Sequence, residues 1–252
     1  MGVLAPGLPD WGAARRVLAG AQAYRHAPAV EPKPDALPSA ERRRGARTVR
    51  WSIAAAQEAL RDSGITAAET ASVFASSSGD GETLVQICEA LATPAREVSP
   101  TRFHNSVHNA ASGYWSIASG SRRAAVTLCA YDASFGAALL EAAAQIHAGE
   151  SAVLLVVYDL PYPPPLLAVR PIAEPLAVAL VLCAAARPAA LARWRVAAAA
   201  ETETIAAMPI PELASNPAAQ ALPLLAAVAR RAAARVRVPL PNGCALAVET
   251  AP

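Results

Sequence analysis

Charge is scarce in this chain. Of its 252 residues, 17% are charged and 54% are hydrophobic. That much charge cannot cover a whole surface, which points to an apolar face covered by a partner, and the composition excludes a disordered chain. Cysteine is sparse too. Cys88, Cys129, Cys183 and Cys244 stand far apart in apolar runs; lacking any Cys-x-x-Cys pair, they read as reduced core thiols rather than metal ligands. Long apolar runs are missing: 176–186 and 151–157 are too short to span a bilayer. Met1-Gly2-Val3-Leu4-Ala5-Pro6 lacks the charged-then-apolar order of a signal peptide. A cytoplasmic protein without an integral membrane segment is the expectation. With a net charge of +2 and no basic stretch interleaved with aromatics, there is no nucleic-acid footprint.

What is present is a chain long enough for a sizeable core, expected to form a single domain over 1–252. Residues 48–62 carry apolar positions at Trp51, Ala55, Ala59 and Leu60, a cap candidate at Thr48 and Gly64 past the end, which predicts a helix. Further helices are expected over 12–23, 82–92, 133–147 and 218–234, the last interrupted near Pro223. The short segment 3–11 starts as a strand that ends at Pro6-Gly7, and 71–76 reads as another strand. Buried strands are expected over 152–158 and 176–184, with 193–200 pairing beside the latter. Residues 236–240 and 244–250, joined across Asn242-Gly243, predict a hairpin. Helices alternating with buried strands give an α/β layered fold with a mixed sheet.

The stretch 99–132 organises the chain. A Ser99-Pro100 turn leads into an amphipathic helix in which Ala110, Ala111, Ser112 and Gly113 permit close packing, while Val107, Tyr114, Trp115 and Ile117 supply bulk. Gly120 and a basic turn stop that helix, and 125–131 then reads as a buried strand.

This stretch resembles the β-ketoacyl synthases of the thiolase superfamily. Laid on without gaps, the family's pattern puts its Asn on Asn109, its glycines on Gly113 and Gly120, and its nucleophilic Cys on Asp132. Cys129 falls three residues early. Over about 3–183 the chain is most similar to the short ketosynthase-like chain-length factors of bacterial aryl-polyene pathways. The shared motifs are Pro6-Gly7-Leu8-Pro9-Asp10-Trp11, Leu37-Pro38 with Glu41-Arg42-Arg43, Phe74-Ala75-Ser76-Ser77 with Gly79-Asp80, and 103–115.

The resemblance implies a thiolase-like layered α/β/α fold, truncated to about one ketosynthase N-terminal half plus extra strands. It implies no catalytic residue, since Asp132 occupies the nucleophile position. Only His147 lies beyond Asp132, so the family's two catalytic histidines have no counterpart. The partner implied is an active β-ketoacyl synthase that supplies them, with an acyl carrier protein visiting transiently and no cofactor. Val107, His108, Ala111 and Tyr114 are the candidates for lining the far end of an acyl tunnel, Val107 matching a position that gates the pocket across the dimer. Better-known chain-length factors carry Gln where this chain has Asp132.

Other readings come from the residues themselves. A carboxylate at Asp132 can cap the following helix. His104 and His108, at i and i+4, have metal-pair spacing, but no Glu follows His104 and no third ligand is evident, which favours interface or capping roles and no metal. Cys129 is expected to be buried in its strand; were it reactive, the chain would be a stand-alone acyltransferase or hydrolase. A purely structural partner of a ketosynthase is the other rival. Residues 76–80 lack the features of a nucleophile elbow or a P-loop and read as a strand-end turn. Arg42, Arg43 and Arg44, with Arg47 and Arg50, suit a solvated helix entry or a salt-bridged subunit contact better than docking of an acidic acyl carrier protein or its phosphopantetheine phosphate.

Overall fold

The computed structural model describes residues 1–61, 63–200 and 206–252. Its helices are α1 (Trp11–Leu18), α2 (Ser39–Arg44), α3 (Arg47–Arg61), α4 (Gly81–Ala92), α5 (Pro100–Asn105), α6 (Ala110–Ser119), α7 (Ser134–His147), α8 (Leu166–Val169) and α9 (Leu222–Arg230). The strands are β1 (Gly2–Leu4), β2 (Ala71–Ala75), β3 (Ala125–Leu128), β4 (Ala152–Asp159), β5 (Leu176–Cys183), β6 (Arg193–Ala198), β7 (Ala234–Pro239) and β8 (Ala245–Ala251).

Two sheets form among these strands, a mixed one in the order β1-β5-β4-β2-β3 and an antiparallel one in the order β6-β8-β7. In the first, β3, β2 and β4 run parallel, and β5 runs antiparallel to β4 and β1. Every residue of β4 is buried, as a Val/Leu-rich run covered on both faces requires. On one face, α3 and α6 build a core around Trp51, Ile53, Phe74, Tyr114, Trp115 and Leu154. On the other, α7 touches both sheets, and α9 and α1 complete the layer. Phe135, Leu139, Leu155, Leu224, Val236 and Val248 thereby share one core. Each large side chain so buried contributes about 1.5–3 kcal/mol.

Two glycines fix close approaches. A Cβ on Gly2 would lie 2.1 Å from the Ala55 carbonyl oxygen of α3, and one on Gly136 of α7 would lie 2.0 Å from that of Pro239 in β7. Small residues let β1 and β7 sit against helix backbones.

The helix over 48–62 is present as α3, although Thr48 lies inside it and bonds Asp80 Oδ2 at 2.9 Å instead of capping it; Asp62 lies outside the described residues. The hairpin across Asn242-Gly243 is present, with φ of 58° and 78° at the turn. Four expectations are corrected. Residues 193–198 pair with β8 in the second sheet and not with β5, because the β1 strand already occupies that edge. The strand over 125–131 stops at Leu128 and forms an edge, half-exposed instead of buried. The helix after Ser99-Pro100 is broken into α5 and α6, with 106–109 in turns. The helix over 218–234 starts as a 3-10 turn over Pro217–Ala221 and runs as α9 only to Arg230. Pro217 and Pro223 lack the N–H that a continuous α-helix would use.

Candidate functional site

Parallel strands deliver their following residues to one end of a sheet, and sites on α/β sheets collect there. Here β2 delivers Ser76 and Ser77, β3 delivers Cys129 to Asp132, and β4 delivers Asp159 to Tyr162. Asp159, 1% exposed, is the hub. Its Oδ1 accepts hydrogen bonds from Ser76 Oγ at 3.0 Å, Ser77 N at 2.9 Å and Ser77 Oγ at 2.7 Å. Its Oδ2 has no partner among the described residues. Burial pushes the carboxyl up to about 6 despite those donors and the nearby Arg170 charge. Asn216 Nδ2 donates to the carbonyls of Asp159 and Glu174, both at 2.8 Å, tying the segment before α9 to the strand end.

Asp132 sits at the turn between β3 and α7, in a 3-10 segment whose Tyr131 has a φ of 51°. Its carboxylate is 62% exposed and pairs with Arg170 at 2.7 Å. The same guanidinium lies 3.6 Å from the centre of the Tyr131 ring, a cation–π contact. The helix-capping expectation for Asp132 is therefore corrected: Ser134 Oγ closes that turn, accepting from Ala130 N at 3.0 Å and donating to the Tyr131 carbonyl at 2.7 Å. Cys129 is corrected as well. It is exposed, just past the strand, with its Sγ donating to the Ser77 carbonyl at 2.9 Å. Cys88 and Cys244 are also exposed and Cys183 is half-buried, so the four are free thiols but not core ones.

The four residues proposed for a tunnel separate. Val107 is 49% exposed in the turn between α5 and α6. His108 follows it, half-buried, with Nε2 at 3.0 Å from the Leu128 carbonyl and Nδ1 against Gly79. Ala111 and Tyr114, each 2% exposed, face the core against α3 and not the surface. The outward side of α6 carries Gly113 and Ile117 instead. His104 is in α5, edge-on to Tyr114 at 5.7 Å, so the i, i+4 pair is split between two segments. Among the described residues no group of three or more His, Cys, Asp or Glu is arranged to hold a metal ion.

The basic cluster is largely paired within the chain. Arg42 meets Asp35 at 3.2 Å, Arg44 meets Glu41 at 3.6 Å and Arg47 meets Glu31, while Arg43 is exposed. Asp159, Tyr162, Arg170 and Asn216 escape sequence reasoning. The one available signal was an acid closing an all-apolar strand directly before the proline-rich 161–165.

The family described as β-ketoacyl synthase, N-terminal domain, matches residues 18–240. The chain belongs to that family. This ketosynthase-like chain is 25% identical to a chain of the ketosynthase ApeO in complex with its chain length factor ApeC from Xenorhabdus doucetiae, with a TM-score of 0.75. The match covers 98% of this chain and 96% of that one. The ishigamide ketosynthase/chain length factor shares the fold at 15% identity and a TM-score of 0.72, covering 99% and 97% of the two chains. A chain of the AntDE:AntF assembly, a type II PKS acyl-carrier protein with its ketosynthase, gives 14% identity and a TM-score of 0.75, again over 99% and 97%. No curated protein matches the chain. The ketosynthase fold is thus present over nearly the whole length, and among the described residues no helix is long and apolar enough to cross a membrane.

Proposed function

We propose that this chain is a non-catalytic, ketosynthase-like chain-length factor that pairs with an active β-ketoacyl synthase in aryl-polyene biosynthesis. One observation carries the reading. The turn where the family pattern puts a thiol holds the Asp132 carboxylate, and the adjacent strand β3 is an edge with no partner on its outer side among the described residues. A carboxylate makes no stable thioester of the kind condensation needs, so the acyl group stays on the partner subunit. The free edge of β3 offers unpaired N–H and C=O groups. Around it Val107, Ile117, Tyr131 and Leu140 are all exposed, an apolar face of the kind that marks a protein partner.

In this arrangement α6 presents Gly113 and Ile117, and the turn before it Val107, to the shared tunnel. Ala111, Tyr114 and His108 hold those segments in place from behind. The single domain over 1–252, the cytoplasmic location and the transient visit of an acyl carrier protein belong to the same proposal. The match to a chain of the ApeO–ApeC complex, over 98% of this chain and 96% of that one, supports the same reading.

Co-expression with an active β-ketoacyl synthase of the aryl-polyene type tests the reading. A stable one-to-one complex is expected, with acyl labelling confined to the ketosynthase. The exposure of Cys129 favours one rival, a stand-alone thiol enzyme. That rival requires Cys129→Ala to abolish acyl labelling of the isolated chain; the proposal expects none to abolish, and condensation by the complex to persist.

A further inference from the structure

The β3 edge does not end the exposed apolar surface. Below it opens a groove of about 360 Å³, lined by Leu128 at the end of β3, Ala137 and Leu140 on α7, and Leu240, Pro241 and Cys244 at the β7–β8 turn. Leu140 is 46% exposed there, and Cys244 is exposed. Among the described residues the one charged group lining the groove, Glu141, accepts a hydrogen bond from Gln145 Nε2 at 2.8 Å along its own helix. The floor is left apolar.

A sheet that continues across a free edge brings the neighbour's helices against both faces of the joined sheet. On this chain those flanking rows are α6 on one face and α7 on the other, and each exposes a large aliphatic side chain beside β3, Ile117 on α6 and Leu140 on α7. Any subunit paired along β3 therefore extends over the mouth of the groove, whose first wall is Leu128 of that same strand. We infer that the groove receives apolar side chains of the ketosynthase subunit. Helix α7 and the β7–β8 turn are then the second half of the interface that begins at β3. This rests on the reading of β3 as the docking edge. It gives the C-terminal hairpin a recognition role, in that Leu240 and Pro241 supply the outer lip.

The four thiols allow the two claims to be tested separately. The isolated chain and its complex with the co-expressed ketosynthase are alkylated with N-ethylmaleimide and each cysteine is read by peptide mass spectrometry. Cys129 reports the β3 edge, Cys244 reports the groove, and Cys183 on β5, three strands from β3, is the control. The expected result is loss of labelling at both Cys129 and Cys244 in the complex, over a time in which the isolated chain labels fully, with Cys183 unchanged. A complex that protects Cys129 but leaves Cys244 at its free rate overturns the groove inference and leaves the β3 reading intact. No complex, or one protecting neither thiol, defeats the reading and the inference with it. Protection of Cys244 that requires an acyl-carrier substrate overturns the inference in favour of an acyl ligand. Leu140→Asp, at an exposed position, should keep the isolated chain's melting curve and raise the dissociation constant of the complex about tenfold or more. Unchanged affinity counts against the groove.

Discussion

Asp159 is the side chain whose charge the structure accommodates least well. One carboxylate oxygen has no partner among the described residues, and burial pushes the carboxyl up to about 6, from 3.8 for an unburied group. The folded chain thus holds this proton more tightly than the unfolded one. Asp159's contribution to stability is complete below pH 3.8 and is lost as pH rises through about 6. Linkage puts the loss at about 1–3 kcal/mol. In urea unfolding, the stability difference between about pH 5 and about pH 7.5 should shrink in Asp159→Asn, which keeps an acceptor for Ser76 and Ser77. An unchanged difference would show that Asp159 is not the titrating group. Asp132 behaves differently because it is 62% exposed beside Arg170. Such a pair contributes about 1 kcal/mol or less. Asp132→Ala should accordingly change the melting temperature little and leave condensation by the complex intact; a collapse of condensation with the complex still assembled would give Asp132 a role at the partner's centre.

The elements legible in the sequence were those with one strong signal. The apolar period and the glycine stop gave α3, the Asn242-Gly243 turn gave the β7–β8 hairpin, and the all-apolar run gave β4. The elements misread were those decided by tertiary pairing. Nothing local in 193–198 distinguishes β8 from β5 as its neighbour, and nothing in 125–128 reveals that the strand has one free edge. The α5–α6 break was equally hidden, since Ser106 to Asn109 disfavour helix only mildly. Ala111 accordingly faces α3 in the packed core, and a paired substitution separates the two sides of α6. Ala111→Phe puts a ring into the packed contact with α3, and overpacking of this kind costs about 1–3 kcal/mol in the isolated chain. Gly113→Phe meets open space, with no atom of the described residues beyond its chain neighbours and its own helix backbone within 4 Å of a Cβ there, so it should leave thermal stability near wild type while weakening the complex. Both are read by melting curves and by co-purification with the ketosynthase. At the other end of the core, Gly136→Ala drives a methyl into the Pro239 carbonyl. It should separate α7 from β7 and lower soluble yield and melting temperature together, by about 3 kcal/mol of stability; wild-type stability would mean that the two elements can move apart freely.

At the scale of the molecule, the half-size architecture and the free edge are one physical fact. The chain closes its interior with α7 and α9 against a three-stranded sheet. It nevertheless leaves β3, among the described residues, with one side unpaired and large apolar side chains exposed around it. An edge of this kind is a template for another strand, and stable partners bury about 1,200–2,000 Å² in total. In isolation the chain should therefore self-associate as concentration rises, because its own β3 is the nearest available substitute. With the ketosynthase present, that self-association should give way to a one-to-one complex. Hydrogen exchange reports the cause directly. In a strand paired on one side only, the amides that point away from β2 exchange with solvent, and they become protected when a second strand bonds to them. Amides over 125–128 should thus slow in the complex, while those of β4, already paired on both sides, stay as they were. Light scattering that shows a monomer at every concentration, together with β3 amides that exchange equally fast with and without the ketosynthase, would leave the edge unused and the partner reading without its physical basis.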